Sequence, residues 1–559
     1  MKRLLAPLCL LLLSASTPCQ TPKNPETRKE DLCKISGSVV KLAGDEPLRK
    51  AQVQLRSEEE RPRTISTVTN AGGLFILRGI EPGRYRLTVG RNGFVAQAYG
   101  QRKPTDPGAV LTLRPGQEIK DLLFRLIPSA VIAGRILDED GEPLPSVNVS
   151  ALHQVYHEGK LTLATSTAVA SNDLGEYRLF GLPPGRYLIT AVYTQWNRFG
   201  VGEDSDAAET QEEGYAKMYY PGTPDAGRAM PLAIKAGEEV PSIDILMRKV
   251  RVYHVRGHVY NLLTKKAAMD ANVFLVARGR NLEWEFDNQQ STAQKKDGSF
   301  DISEVRPGSY VVAAYWFDEG KPMVARVPVD VGNADVDGVS LTLGSGVNIP
   351  GRIIWDGQPS LEENELNVVP MAADIGRNFW GIGGARVDAT NSFVIKDLGD
   401  GIYFAELRGL SKDCYVKEVR YGSSSALDDG FTVARGTPAS LEITISSRGA
   451  TIQGSVADED GLPAAGVQVV IVPELSRRSL HRLYKSVTTD QYGHFKIRGI
   501  APGDYSLFSW EEVESGAWED PEFIKPFEAK GEKISVQDAD QKTMNLTAIR
   551  TRTAESSKP

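Results

Sequence analysis

The sequence predicts an all-β protein built as a tandem array of five β-sandwich domains. Two patterns carry this. The first is a phrase written five times, an aromatic residue followed ten positions later by Tyr: Phe75 and Tyr85, Tyr177 and Tyr187, Phe300 and Tyr310, Phe393 and Tyr403, Phe495 and Tyr505. The second is a short strand centred on Gly, with the Gly lying 38, 43, 43, 42 and 41 residues before the aromatic in the successive copies. Self-similarity at roughly 100-residue spacing marks one small fold repeated along the chain. A hydrophobic content of 41% with 53 Gly and 32 Pro suits turn-rich β domains.

The chain begins as an export signal over residues 1–20. Lys2 and Arg3 precede the apolar run Leu4 to Leu13, and the small residues Ser14, Ala15 and Ser16 follow. This stretch is too short to span a bilayer. Cleavage is expected after Ser16 or just past Cys19. A lipid anchor at Cys19 is not expected, because Ser16 and Pro18 both break the usual pattern before an acylated Cys. No later stretch approaches 18 apolar residues, so no transmembrane segment is expected. The expected location is periplasmic or extracellular. The repeats are then placed at 21–128, 129–249 with an acidic and Tyr-rich insert, 250–344, 345–447 in degenerate form, and 448–551 with an aromatic and acidic insert; 552–559 form a tail.

Each repeat opens on a strand with apolar residues at period two around Gly37, Gly134, Gly257, Gly351 or Gly454. In the second and fifth copies a turn follows at Asp138–Gly141 and Asp458–Gly461. Both read as solvated turns; the distal Glu of a calcium loop is missing. A further strand is expected at Val147–Leu152, Val273–Ala277 and Val467–Val472. The repeated phrase itself reads as a hairpin. Asn or Asp with Gly three residues later makes a tight turn, and the aromatic shares a face with the aliphatic two residues on. Pro-Gly then reverses the chain, and Tyr returns to the core. The repeated chemistry is therefore packing. In repeat four Asn391 stands where the others have Gly, a residue that also tolerates positive φ.

These residues resemble the carboxypeptidase regulatory-like domain. Its hallmark runs Asp or Asn, two residues, Gly, one residue, aromatic, then Gly, aliphatic, one residue, Pro-Gly, one residue, Tyr. The phrase is matched at Asn70, Gly73, Phe75, Gly79, Ile80, Pro82, Gly83 and Tyr85, again from Asn172 to Tyr187, and from Asp490 to Tyr505. Repeat three keeps Gly298, Phe300, Pro307, Gly308 and Tyr310 but has Lys295 where Asp is usual. The resemblance implies a transthyretin-like or immunoglobulin-like β-sandwich, grouped with carbohydrate-binding-like folds. Such domains occur beside metallopeptidases, in outer-membrane receptors and in tandem arrays of bacterial exported proteins. The resemblance implies no active site.

Chemistry-bearing motifs are sparse. His153 and His157 are four apart, as are His254 and His258. On strands such a spacing places them about 13 Å apart, too far for a shared metal. Gly381–Gly384 lacks the βαβ context of a dinucleotide site, and Ser423–Ser425 lacks a nucleophile elbow. Carboxylates are scattered through turns rather than paired. Cys33 and Cys414 fall in the first and fourth repeats and read as unpaired thiols, Cys414 within a strand. No catalytic residue, metal or cofactor is expected. A formal charge of −7 gives no footprint for nucleic acid.

Aromatic residues after the Tyr of each phrase are the candidate ligand contacts. They are Trp196, Trp316, Trp510 and Trp518, with Tyr219 and Tyr220 closing the acidic insert. Their large amphipathic faces suit a glycan or peptide ledge, inter-domain packing or the core. The functional expectation is a non-catalytic exported scaffold or protein-interaction array at the cell envelope, whose partner is a protein or glycan. The alternatives are a carbohydrate-binding exported protein and an accessory protein of an outer-membrane transport or secretion system.

Overall fold

The computed structural model describes residues 29–58, 62–193, 213–262, 264–278, 289–292, 296–318, 321–361, 365–373, 384–434, 436 and 439–550. The export segment and Trp196 lie outside the described residues. The fold is all-β, with strands arranged in sandwiches around successive apolar cores.

The first repeat shows the plan. One sheet places the opening strand Cys33–Lys41 between Leu74–Ile80, antiparallel to it, and Glu118–Leu126, parallel to it. The facing sheet runs Thr64–Val68, Gln52–Ser57, Gly83–Gly90, with Gln97–Ala98 and Leu111–Leu113 on the last strand. Ile35, Val39, Val53, Leu55, Phe75 and Leu87 meet between the sheets and are fully or nearly fully buried. Each such side chain contributes about 1.5–3 kcal/mol by leaving water. The fifth repeat repeats the plan, with Ala450–Ala457 between His494–Ile500 and Gln541–Thr547. In the third, the strand Lys321–Val331 pairs along Gly308–Asp318 and then meets Val336–Ser345, joining both layers into one seven-stranded sheet.

The repeated phrase is not a hairpin. Leu74–Ile80 pairs in the first sheet and Gly83–Gly90 in the second, and the same holds for His494–Ile500 and Gly503–Trp510. The Pro-Gly turn carries the chain across the sandwich, because the aromatic on one arm and Tyr on the other must both point between the layers. Phe75 and Tyr85 are buried, as are Tyr177 and Tyr187, Phe393 and Tyr403, and Phe495 and Tyr505. Phe300 is buried, and Tyr310 packs half-buried against the same core.

The opening Gly and the aromatic are two halves of one cross-strand pair. Gly37 faces Phe75, Gly134 Tyr177, Gly257 Phe300, Gly351 Phe393 and Gly454 Phe495. A Cβ on these glycines would run into the main-chain carbonyl of Leu122, Ile243, Val339, Leu441 or Met544 respectively. At Gly257 and Gly351 it would also strike the paired Phe ring. The Tyr has a second duty. Its hydroxyl donates to the carbonyl four residues upstream: Tyr85 to Glu81, Tyr187 to Pro183, Tyr310 to Arg306, Tyr403 to Gly399 and Tyr505 to Ala501, at 2.8–3.0 Å. The tight turn before the aromatic is held by an Asx carbonyl or carboxylate in repeats one, two, four and five. Asn70 Oδ1 accepts from the amides of Gly72 and Leu74, and Asp388 and Asp490 do the same in their repeats. Asn391 takes φ 61° in repeat four and its carbonyl accepts from Ile353, as Gly73 does from Val39.

The Asp138 and Asp458 turns are exposed and satisfy their own amides: Asp138 Oδ1 accepts from Asp140 and Glu142, and Asp458 Oδ1 from Asp460 and Leu462. Cys33 and Cys414 are free and buried. Cys414 precedes the strand Tyr415–Tyr421 instead of lying in it, its amide turned to the Ser411 carbonyl.

Successive repeats are tied at their joints. The link at 127–129 is bonded on one side to Gly93 and Val95 and on the other to Gly237. Arg326 of repeat three donates to the Asp400 carbonyl and the Tyr403 hydroxyl of repeat four, at 2.6 and 2.7 Å. Between repeats four and five, Asp356 lies 2.5 Å from Arg448 and 2.6 Å from Lys417. Tyr415 reaches across to Asp538 at 2.7 Å. The hydrogen bond from Arg448, helped by Lys417, holds the Asp356 carboxyl down at about 2.

Two outcomes are expected. Gly454→Ala forces apart a close-packed sheet and loses about 1–3 kcal/mol, whereas Tyr505→Phe removes one hydrogen bond and loses about 1 kcal/mol. Hydrogen exchange of amides in residues 450–547 reads both; unchanged protection in Gly454→Ala would refute the close-approach account. Because the folded Asp356 carboxyl lies below its ordinary value of 3.8, its contribution is present above pH 4 and lost as pH falls through about 2. The gap in unfolding midpoint between wild type and Asp356→Asn therefore closes across that window, and a gap constant down to pH 2 would contradict this.

Candidate interaction surfaces

Among the described residues the candidate aromatics do not form a shared ledge. Trp510 ends the strand Gly503–Trp510 and is fully buried. It stacks on Phe508 at 5.0 Å and stands edge-on to Phe527 at 5.8 Å. Trp518 is buried in the same cluster, with Val470, Val472 and Ile524. The insert after Gly503–Trp510 thus folds into short helical turns that cover the outer face of its own sheet, and its aromatics are spent there. A ligand-facing role for Trp510 and Trp518 is corrected accordingly. Trp316 lies half-buried against the repeat-three core. Tyr219 is buried on the strand Met218–Tyr219, and Tyr220 packs against the repeat-two core. The histidines behave as strand residues: His153 and His157 share Val147–His157, and His254 and His258 share Tyr253–Asn261. Among the described residues no group of three or more His, Cys, Asp or Glu is placed to hold a metal.

The surfaces that do meet join repeats far apart in sequence. In repeat five the turn Asp490-Gln491-Tyr492-Gly493 sits against the strand Leu111–Leu113 of repeat one. Gln491 pairs with the main chain of Thr112 in both directions: its Oε1 accepts from the Thr112 amide at 2.9 Å and its Nε2 donates to the Thr112 carbonyl at 2.7 Å. A side-chain amide here does the work of a neighbouring strand, satisfying an edge that would otherwise need water. Asp490 uses Oδ1 for its own turn and accepts from the Thr112 hydroxyl with Oδ2, at 2.9 Å. Tyr492 receives Gln117 Nε2 on its hydroxyl at 3.0 Å and the Arg114 guanidinium over its ring at 5.1 Å. Arg86 donates to Thr488, and Arg102–Glu511 and Lys103–Glu512 flank the contact at 3.1 and 2.7 Å.

Repeat two also reaches repeat five. Its hairpin Val147–His157 and Lys160–Ala170 turns at Glu158-Gly159, both with positive φ. There Tyr156 approaches Phe523 at 6.5 Å, and Gly159 lies so close to the main chain of Glu519 that a Cβ would clash. Burial, with Asp520 and Glu514 nearby, pushes the Tyr156 phenol up. Repeat five is thus the hub, touching repeats one, two and four. Sequence reasoning missed Gln491 and Tyr492. The available signal was their oddity: the same turn positions hold Ala71-Gly72, Asp173-Leu174, Lys296-Asp297 and Ala389-Thr390 elsewhere.

An open groove of about 670 Å³ lies on repeat two, along Ala133–Arg135 and Glu176–Arg178. Arg135 pairs with Glu176 at 3.1 Å, and Arg178 with Glu239 at 3.5 Å. Asp244 accepts from the Arg135 amide at 2.8 Å. Its lining is polar, and none of the candidate Trp residues among the described residues contributes to it.

Comparison with known proteins fits this architecture. The carboxypeptidase regulatory-like domain family matches residues 34–126, 131–203 and 451–511. No curated protein matches the chain. Among solved structures, the Bacillus anthracis TIE protein is 12% identical, with 56% of this chain and 51% of that chain covered and a TM-score of 0.16. This chain therefore spans about half the length of that protein. A streptococcal ancillary pilin is 12% identical over 56% of this chain and 98% of its own, with a TM-score of 0.19. A minor pilin of Streptococcus agalactiae is 13% identical over 39% and 96%, with a TM-score of 0.21. Scores this low carry no function across. The matched segments are the first, second and fifth repeats, those with the complete phrase. Three segments of the chain, 34–126, 131–203 and 451–511, are thus similar to the carboxypeptidase regulatory-like domain.

Proposed function

We propose that the chain is a non-catalytic exported scaffold that presents protein-interaction surfaces at the cell envelope. One observation carries the reading. The side chains repeated in all five copies are consumed by packing and turns: the aromatic lies over Gly, and the Tyr hydroxyl is bonded within its own turn. What differs between copies is the surface, and there the differences join repeats to one another. The tandem domain matches support the same reading. No helix of the described residues is long and apolar enough to cross a membrane.

A glycan-binding reading draws on the polar groove of repeat two, whose guanidinium and carboxylate pairs suit hydroxyl-rich ligands. Glycan-array binding of the purified chain, beside Arg135→Ala/Arg178→Ala, separates the two. The scaffold reading expects no saturable binding by either protein. Saturable binding that falls at least tenfold in the double variant would replace it with the glycan reading. Fractionation of cells expressing the tagged chain tests export, with recovery outside the cytoplasm expected and cytoplasmic recovery of the full-length precursor counting against it.

A further inference from the structure

We infer that the outer edge of the strand Lys160–Ala170 in repeat two takes up an extended segment of a partner protein as an added β-strand. From the scaffold reading this takes only that the partner is a protein; the surface and the form of the partner are new. Lys160–Ala170 closes its sheet. It pairs with Val147–His157 on one side, and among the described residues no strand pairs with it on the other. In the other repeats the strand described at this place is Thr64–Val68, Gln289–Thr292, Ala385–Arg386 or Lys485–Thr488, two to five residues against eleven. A long bare edge is a liability that proteins blunt by shortening it or setting charges along it. Here the edge is long, carries no charge from Leu161 to Ala170 and contains no buried residue. Leu161 is 50% exposed.

The turn decides which main-chain groups face outward. Glu158 and Gly159 both have positive φ, the type I′ geometry of a two-residue hairpin. The flanking residues His157 and Lys160 are then a hydrogen-bonded pair, and such pairs recur at Val155 with Thr162 and His153 with Ala164. Leu161, Leu163 and Thr165 therefore aim their amides and carbonyls away from Val147–His157, toward an added strand. Leu161 and Leu163 share a face, with Tyr156 and Gln154 across from them. The fitting segment has apolar residues at alternate positions and no charge in its middle. At Ser166 a bulge interrupts the register, since Ala151 faces Thr167 and Leu152 faces Thr165. This favours a foreign segment over a second copy. Two such edges laid antiparallel about Thr165 would set bulge against bulge and break the ladder at its centre, whereas a regular segment pairs with Lys160–Thr165 unbroken. The edge is also pinned at one end. Its turn is seated on repeat five, through Tyr156 with Phe523 and Gly159 against Glu519, so less freedom is lost on docking.

The probe is a fluorescein-labelled peptide with the sequence of Ala151–His157, whose side chains already make compatible cross-strand pairs with this strand on its other side. Binding to the purified full-length protein is read by fluorescence anisotropy. Two further peptides carry N-methyl groups at alternate residues, one on the odd positions and one on the even, so that only one of them loses the amides facing the edge. That peptide binds about tenfold more weakly, the scale of a lost hydrogen bond that leaves its partner unsatisfied, and the other binds like the parent. Leu163→Pro takes away the central outward amide and leaves the bonds to Val147–His157 in place. It weakens the parent peptide by a similar factor, whereas Leu163→Ala, which keeps the amide, retains most of the binding. Circular dichroism and hydrogen exchange of the repeat-two core verify that both variants are folded, and the methylated peptides need no variant at all. Absence of saturable binding by the parent peptide, or two methylated peptides that bind alike, overturns the inference. So does a wild-type dimer in light scattering that Leu163→Pro dissolves, because the edge would then belong to a second copy. None of these outcomes touches the scaffold reading, which the glycan array and the fractionation decide.

Discussion

The fold depends on an aromatic ring laid over a glycine across two strands. A glycine in a strand is a weak point, without a side chain to pack and with excess freedom in the unfolded chain. Here the vacancy is the point of the design. It lets the neighbouring strand's carbonyl and the partner ring close onto the opening strand at Gly37, Gly134, Gly257, Gly351 and Gly454. The ring then fixes which way its arm faces. With that orientation set, the Pro-Gly segment must cross to the other sheet, and the Tyr hydroxyl locks the crossing by bonding back to its own turn. Packing and hydrogen bonding specify the same geometry, the kind of agreement between levels that makes a sequence choose one structure.

Much of this is legible in the sequence. Period two around each Gly, the constant offset to the aromatic and the ten-residue step to Tyr are local consequences of strand geometry, so they survive in the sequence even where Asn391 replaces Gly. The pairing of the arms was not legible. A turn flanked by two strands reads as a hairpin whether the strands pair with each other or with strands forty residues away, and nothing local separates the two. The fate of Trp510 was hidden for a similar reason. Its position predicts a strand end, but burial is decided by Phe523 and Phe527 folding back from the insert. The contact between Thr112 and Gln491 spans 379 residues, and only the unusual composition of one turn hinted at it.

The joints between repeats add polar contacts to the apolar chemistry of the cores. Cores are aliphatic and aromatic; joints add amides, guanidinium groups and carboxylates, as at Arg326, Asp356 and Gln491, to apolar contacts such as Val276 and Val311 against the repeat-four core. Exposed ion pairs of this kind add little stability each. Their value is directional. A side-chain amide against a strand edge accepts one register and one approach, so it specifies how repeats one and five meet.

The parallel pairing within each repeat has a mechanical consequence. The strand by which the chain enters a repeat lies beside the strand by which it leaves, or nearly so, and both run the same way, as in Cys33–Lys41 with Glu118–Leu126 and Ala450–Ala457 with Gln541–Thr547. Tension along the chain pulls the start of one strand and the end of the other in opposite directions. The rungs between them lie across the line of pull and are loaded together, in shear, instead of being peeled one after another. A segment built this way resists stretching far better than its modest thermodynamic stability suggests, because rupture requires many bonds to fail at once.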